Sequence, residues 1–323
     1  MFGEKYLTHP ETLTRWNTDL HFARGTVELR FSDDRYRFSG LSMGQQDLIE
    51  KIYPSCLERP DGEPSELTNV SVFYKAESEF REVELKGWQY DLDIMYSEGM
   101  VQIAGLGFAA KIVWRPHLQG YLWTRERGIE AFHGAFENFL RILIAYRLSE
   151  RGGALLHSAA LVTDTEAAVL VGRSGHGKTT LSNKALQAGK RVLSDDLNAL
   201  VIRGNSLWVI WMPFHGDVAS PYQKPPSIPV QAFYTLEKSC RNEVSFEPKT
   251  QTLAHLLSCS PYVNLDPYRY ERVLESLERM CDLVRCYRLK FRKDEGFLDL
   301  LAGTLSIEEG GARTGSGNIS CAR

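Results

Sequence analysis

Eight consecutive residues carry the clearest chemistry in the chain. They are Gly172-Arg173-Ser174-Gly175-His176-Gly177-Lys178-Thr179, a G-x-x-x-x-G-K-[ST] pattern. Gly172, Gly175 and Gly177 let the backbone turn with its N–H groups inward, forming a nest for phosphate oxygens. Lys178 supplies a point charge for β- and γ-phosphates, and the Thr179 hydroxyl can ligate Mg²⁺. Thr180 completes the set expected to bind phosphate. An apolar run, AAVLV, precedes the pattern, and a helical run, TTLSNKALQAG, follows it. The helix N-terminus adds its dipole to the same anion. His176 reads as a variable loop residue and not as an acid or base.

Asp195-Asp196 lies seventeen residues after Lys178, at the end of RVLS. A strand beside a phosphate loop that ends in carboxylates places them near the γ-phosphate and its metal. One carboxylate can hold Mg²⁺, directly or through water, and the other can accept the proton of an attacking hydroxyl. Adjacent residues on an extended segment point to opposite sides, which suits two different roles. His157 sits in the apolar run ALLHSAALV. Taken alone, a histidine there reads as a hydrogen-bonded core residue.

The elements that must position these groups fall into two textures. Up to about residue 125, period-2 runs predict strands at Thr26–Phe31, Asn69–Tyr74, Phe80–Leu85, Trp88–Ile94 and Lys111–Trp114. A helix over Met43–Tyr53 interrupts them, and the whole reads as a mostly antiparallel sheet over 1–127. Gly128–Arg151 then spaces Phe132, Phe136, Phe139, Leu140, Ile142, Leu143 and Tyr146 as one face of a helix stopped by Gly152-Gly153. Strands are expected at Ala154–Val162, Ala167–Val171 and Arg191–Leu193, with a helix at Thr179–Ala188. A hairpin turns at Gly204-Asn205 between Ala199–Arg203 and Leu207–Trp211. Beyond it come a strand at Ile228–Leu236, helices at Thr250–Ser258 and Pro267–Cys281, and a last strand near Leu283–Leu289. The fold class is therefore α/β (α+β overall), with a second unit over 128–303. Thr304–Arg323, rich in Gly and Ser, reads as a flexible tail.

Composition excludes several alternatives. The 323 residues carry 38 basic and 41 acidic side chains, a net charge of −3 that does not suit a dedicated nucleic-acid binder. The six cysteines show no zinc or disulfide spacing. The N-terminal residues lack an apolar signal core, and Arg141 interrupts the longest apolar stretch, Phe139–Tyr146. A soluble cytoplasmic protein is expected. An LSGGQ-like helix start, the mark of a transport ATPase, is not found.

The segment from His157 to Leu200 resembles the catalytic domain of HPr kinase/phosphorylase. The likeness rests on HSAALV, GRSGHGKTT, the helix ending in AGK, and RVLSDDLNAL. It implies an ATP- and Mg²⁺-dependent kinase on a P-loop fold shared with phosphoenolpyruvate carboxykinase, acting on a serine of a small carrier protein. Carried over by residue, Lys178 and Thr179 would bind nucleotide and metal. Asp195 would be the general base, Asp196 the metal-side carboxylate, and His157 a neighbour of that pair. The family's N-terminal domain does not map onto 2–125, and MPFHGDVASPYQKPP stands where its glycine-rich signature would follow. The acceptor is then a carrier protein, a peptide precursor or a small hydroxyl metabolite, and the chain can be a homo-oligomer. Met212–Pro229, with Phe214, His215, Asp217, Tyr222 and Lys224, is the candidate substrate-side loop. A nucleotide sensor without catalysis is the rival from another class, and the intact acid pair argues against it.

Overall fold

The protein is described by a computed structural model over residues 2–16, 24–31, 33–57, 66–83, 92–125, 129–163, 165–214, 216 and 226–303. The first half contains β1 (Gly25–Phe31), β2 (Asp34–Leu41), α1 (Met43–Ile52), β3 (Leu67–Lys75), β4 (Asp93–Tyr96), β5 (Met100–Gly105), β6 (Phe108–Val113) and β7 (Gln119–Arg125). These seven strands form one sheet in the order β1-β2-β3-β7-β6-β5-β4. Its pairings are antiparallel except at β2–β3 and β3–β7, which are parallel. The sheet is thus mostly antiparallel, as its alternation predicts. Phe80 makes only an isolated bridge to Leu7, and residues 84–91 of the two expected strands there lie outside the described residues.

The long helix α2 (Ile129–Glu150) leads to β8 (Ala154–Thr163), β9 (Glu166–Val171), α3 (Lys178–Gln187), β10 (Arg191–Ser194), β11 (Leu197–Arg203) and β12 (Ser206–Trp211). There follow β13 (Ile228–Lys238), β14 (Glu243–Phe246), α4 (Lys249–Ser258), α5 (Tyr270–Leu283), β15 (Arg285–Phe291) and α6 (Gly296–Gly303). The second sheet runs β10-β8-β11-β12-β13-β15-β14, with β9 paired to both β8 and β13. Its interior is parallel at β9–β13–β15, and the rest is antiparallel. The fold is mixed α/β with two mixed sheets. The expected tail, 304–323, lies outside the described residues.

One continuous core joins both sheets through α2. Phe136, Phe139 and Leu143 of the helix are buried with Phe38, Ile103 and Leu122 of the first sheet and Leu156, Ala199 and Val209 of the second. Each such side chain removed from water contributes about 1.5–3 kcal/mol, which explains why a helix this apolar forms here. A smaller cluster packs Leu181 and Ala185 of α3 and Phe297 and Leu301 of α6 on Ala159, Leu161, Ala168 and Leu170.

Charge fixes the C-terminal end of α2. Asp34, whose side chain is fully buried, accepts from Arg147 Nε at 3.2 Å and from Arg151 Nη1 at 2.8 Å. Arg147 also meets Glu66. Asp34→Ala leaves the buried Arg147 short of a counter-charge, so a loss of about 3–5 kcal/mol is expected in urea unfolding.

On the opposite face of the first sheet, Lys111 is buried with its ammonium 5.0 Å over the Trp123 ring, and burial lowers its pKa to about 8. Between pH 8 and about 10.4 the unfolded chain holds a proton that the folded chain has released, so stability rises with pH in that window. Below it the desolvation penalty is fully present. Lys111→Met is expected to stabilise the fold by about 1–3 kcal/mol at pH 7, at roughly 1.4 kcal/mol per pKa unit less what the cation–π contact returns. The gain should shrink toward pH 10, as thermal melts across the range would show.

Candidate active site

Strand β9 (EAAVLV) is buried along Ala167–Val171 between β8 and β13, and it delivers the chain to Gly172. The loop then needs two left-handed residues, Gly175 at φ 78° and Gly177 at φ 106°. Gly177 is also the N-cap of α3, and a Cβ placed on it would lie 2.5 Å from Phe291 Cζ. Backbone angle and close approach both demand glycine there. The first N–H groups of α3, which have no partner within the helix, consequently open toward the loop.

Lys178 is 95% buried, and its Nζ donates to Gly172 O at 2.6 Å, with Arg173 O 3.4 Å away. It folds back across the loop and closes it. Burial lowers its pKa, while the carboxylates of Asp196 and Asp195 act the other way.

The acid pair sits in the bend between β10 and β11. Strand β10 pairs with the far half of β8 (Ser194↔Ala160), and β11 pairs with the near half (Leu197↔His157). The bend is held by Ser158 N–H donating to Asp196 O at 3.0 Å and by Asp196 N–H donating to Ser194 Oγ at 3.1 Å. Asn198 Nδ2 donates to Ser158 O at 2.8 Å and lies 3.1 Å from Ser158 Oγ. His157 Nε2 lies 3.5 Å from Asp196 Oδ1, and Arg141 Nη2 lies 3.6 Å from Asp196 Oδ2. Arg141 is itself held 2.5 Å from Glu137 Oε1, one turn back on α2, with its guanidinium 5.0 Å over the Phe214 ring. Burial raises the pKa of Asp196, and Arg141 and His157 pull it back. His157 is lowered by burial and by the Lys178 ammonium, against the attraction of both aspartates.

These groups line one cleft of about 560 Å³. Of the residues expected from sequence, His157, Ser174, Gly175, Gly177, Lys178, Thr179, Thr180, Asp195 and Asp196 all face it. Gly172, Arg173 and His176 belong to the loop without lining the cleft; Gly172 serves it through the carbonyl that receives Lys178. Arg141, Lys238, Phe291 and Lys293 complete the wall and were not expected there, and Gly216 joins them from within the expected substrate-side segment Met212–Pro229. For Arg141 a signal existed, a charge in the middle of an apolar helical stretch with Glu137 four residues before it. Lys238 and Lys293 lie at or just beyond the ends of β13 and β15, where sequence gives no pairing information. Within the candidate substrate-side loop, Phe214 packs against Arg141, while His215, Asp217, Tyr222 and Lys224 lie outside the described residues.

The side chains suit an anion and a hard cation together. An ammonium and a helix N-terminus face two carboxylates and a threonine hydroxyl, and oxygen donors of this kind are those Mg²⁺ takes, alongside phosphate oxygens. Among the described residues no helix is long and apolar enough to cross a membrane.

No protein-family model matches the chain, and no curated protein does. Among solved structures, the HPr(Ser) kinase/phosphatase from Coxiella burnetii matches with 13% identity, over 48% of this chain and 99% of that one, at a TM-score of 0.30. A superposition that loose transfers no residue roles.

Gly177→Ala tests the loop geometry directly. The added methyl meets Phe291 and the backbone angle is strained, so a loss of about 1–3 kcal/mol is expected in denaturant unfolding. An unchanged midpoint would contradict the close packing of Phe291 under the loop.

Proposed function

We propose that this protein is an ATP- and Mg²⁺-dependent kinase that transfers the γ-phosphate to a hydroxyl, that of a serine in a small carrier protein or peptide. The observation that carries the proposal is the convergence of Lys178, the α3 N-terminus and the Asp195-Asp196 pair on one cleft, with His157 beside them. In this reading residues 128–303 form the kinase unit, and 1–127 form an appended, mostly β unit. Its serine acceptor rests on the motif likeness to HPr kinase/phosphorylase.

ATP supplies the transferable phosphoryl group, and Mg²⁺ offsets the charge on its oxygens. The chain's own part is binding and proton transfer. Gly175, Gly177 and the α3 amides cradle phosphate oxygens, and Lys178 neutralises charge deep in the cleft where water screens it little. Thr179 and one carboxylate of the pair would hold the metal. The other carboxylate takes the proton of the acceptor hydroxyl, and His157 stands against Asp196 to orient it.

The test is transfer of label from γ-labelled ATP with Mg²⁺ into an extract of the source cell, comparing the wild type with Lys178→Ala and Asp195→Asn. Label is expected in a polypeptide with the wild type, falling about 100-fold or more in either variant, the scale for losing one preorganised charge in a site of this kind. Label in a low-mass compound would reassign the acceptor to a metabolite. No acceptor label in any fraction would overturn the kinase reading.

A further inference from the structure

Resting on that reading, we infer that Lys238 and Lys293 form a second cationic grip on the phosphate donor. They hold the phosphate next to the nucleoside (α), while the glycine loop and Lys178 hold the outer two.

Three observations carry it. First, the sheet brings both lysines to the side of the loop. Val171, the last residue before Gly172, pairs with Thr235 of β13. The two strands are parallel, so β13 continues past that level and carries Lys238 alongside the loop. Strand β15 is parallel to β13 in turn, with Phe291 opposite Lys238, and Lys293 follows two residues later. Phe291 lies where a Cβ on Gly177 would collide with it, which ties this corner to the loop. Ligands of parallel strands gather at carboxyl ends of this kind.

Second, the lysines stand across the loop from the acids. Strand β9 lies between β13 and β8, and it is β8 that carries His157 and holds the bend of the acid pair. At about 4.8 Å per strand, Lys238 comes from one strand beyond the loop and Lys293 from two. In the kinase reading the acceptor hydroxyl, the metal and the γ-phosphate belong on the acid side. A triphosphate laid across the loop then has its β-phosphate over the α3 N-terminus and its α-phosphate toward the lysines.

Third, the charge of both lysines is open to a ligand. Both are exposed and line the cleft. Among the described residues neither has a carboxylate within 4 Å, and the adjacent Glu237 turns to Arg288. Lys178 and Arg141 differ, being engaged by the Gly172 carbonyl and by Glu137 and Asp196. The lining thus holds four such cations against two carboxylates, a surplus that suits a polyphosphate. Lys238 already acts on the loop: behind burial, Lys178 and His255, it helps to lower the pKa of His176.

The deciding experiment is titration calorimetry with Mg²⁺ and three probes, a non-hydrolysable ATP analogue, tripolyphosphate and pyrophosphate. Wild type is compared with Lys238→Gln, Lys293→Gln, the double variant, Lys238→Arg and Lys190→Gln, the last an exposed lysine beyond α3 and outside the cleft. Each single Gln variant is expected to weaken the ATP analogue and tripolyphosphate about 5-fold or more, the scale of one charge-assisted contact at an exposed site, and the double variant about 25-fold. Pyrophosphate, which the loop and Lys178 hold by themselves, should stay within about 2-fold. Lys238→Arg should recover most of the loss, and Lys190→Gln should match the wild type. Unchanged affinity for the ATP analogue in the double variant would overturn the assignment and leave the kinase reading intact. So would an equal loss for pyrophosphate, which moves the lysines onto the outer phosphates, or an equal loss in Lys190→Gln, which makes the effect one of general charge. A loss for the ATP analogue with none for tripolyphosphate would place the lysines on the nucleoside, and overturns it too. A wild type that binds none of the three probes overturns the kinase reading and this assignment with it.

Discussion

Strand β8 must satisfy three neighbours, and the cleft follows from how it does so. Its near half pairs with β11, while its far half lies between β9 and β10. The change of partner falls at Ser158. That residue stands opposite Val171, the last residue before Gly172, and its N–H binds the carbonyl of Asp196. The glycine loop and the acid pair therefore start from one point on one strand. Buried backbone groups have to be paired, so a chain crossing from one ladder to the other has little freedom in where it bends. Asn198 reinforces the same residue from β11, and His157, one position earlier, is carried into the cleft beside Asp196.

The charges gathered there are met both from the second sheet, by Lys178, Lys238 and Lys293, and from α2. Lys178 and His157 come from the loop and β8, yet Asp195, Asp196 and Glu137 sit in a setting where uncompensated ionisation is costly. Arg141 is a further cation of the cleft, and it comes from the helix that also fills the core between the sheets. Packing and electrostatics are coupled here, because the same turn of α2 that buries Phe139 and Leu143 presents Arg141 to the acids.

What could be read from sequence was what is local. The strand–glycine loop–helix unit, the hairpin at Gly204-Asn205 and α2 all follow from periodicity and turn residues within about twenty positions. Gly204 does take φ 60°, between Arg203 and its cross-strand partner Ser206. Long-range pairing was not legible. The parallel contacts of β3 with β7 and of β13 with β15 join strands some fifty residues apart, and no local pattern encodes a register at that distance. Helix α5 was expected from Pro267 and begins at Tyr270, because Asp266 instead organises a turn that accepts from Arg269 N–H and Tyr270 N–H. The edge strand β14 and the short helix α6 were missed for want of length. In the cleft, the loop and acid residues announced themselves by type and spacing, whereas Arg141 and Lys238 matter only through who their neighbours turn out to be.

The reach of Arg141 depends in turn on how firmly α2 is held about its own axis. The helix rises about 1.5 Å and turns about 100° per residue, so a small rotation would swing a guanidinium away from a contact near 3.6 Å. Two neighbouring residues prevent that from different directions. Arg147 is tied to Asp34 on the first sheet, and Tyr146 O–H donates to Asp266 Oδ2 at 3.0 Å on the other side. Asp266 is fixed by Arg269, which lies 3.6 Å over the ring of Trp114 at the end of β6. Both ties sit less than two turns from Arg141. They lock the helix against the first sheet and against the turn before α5, so the geometry at Asp196 is not set by the glycine loop alone.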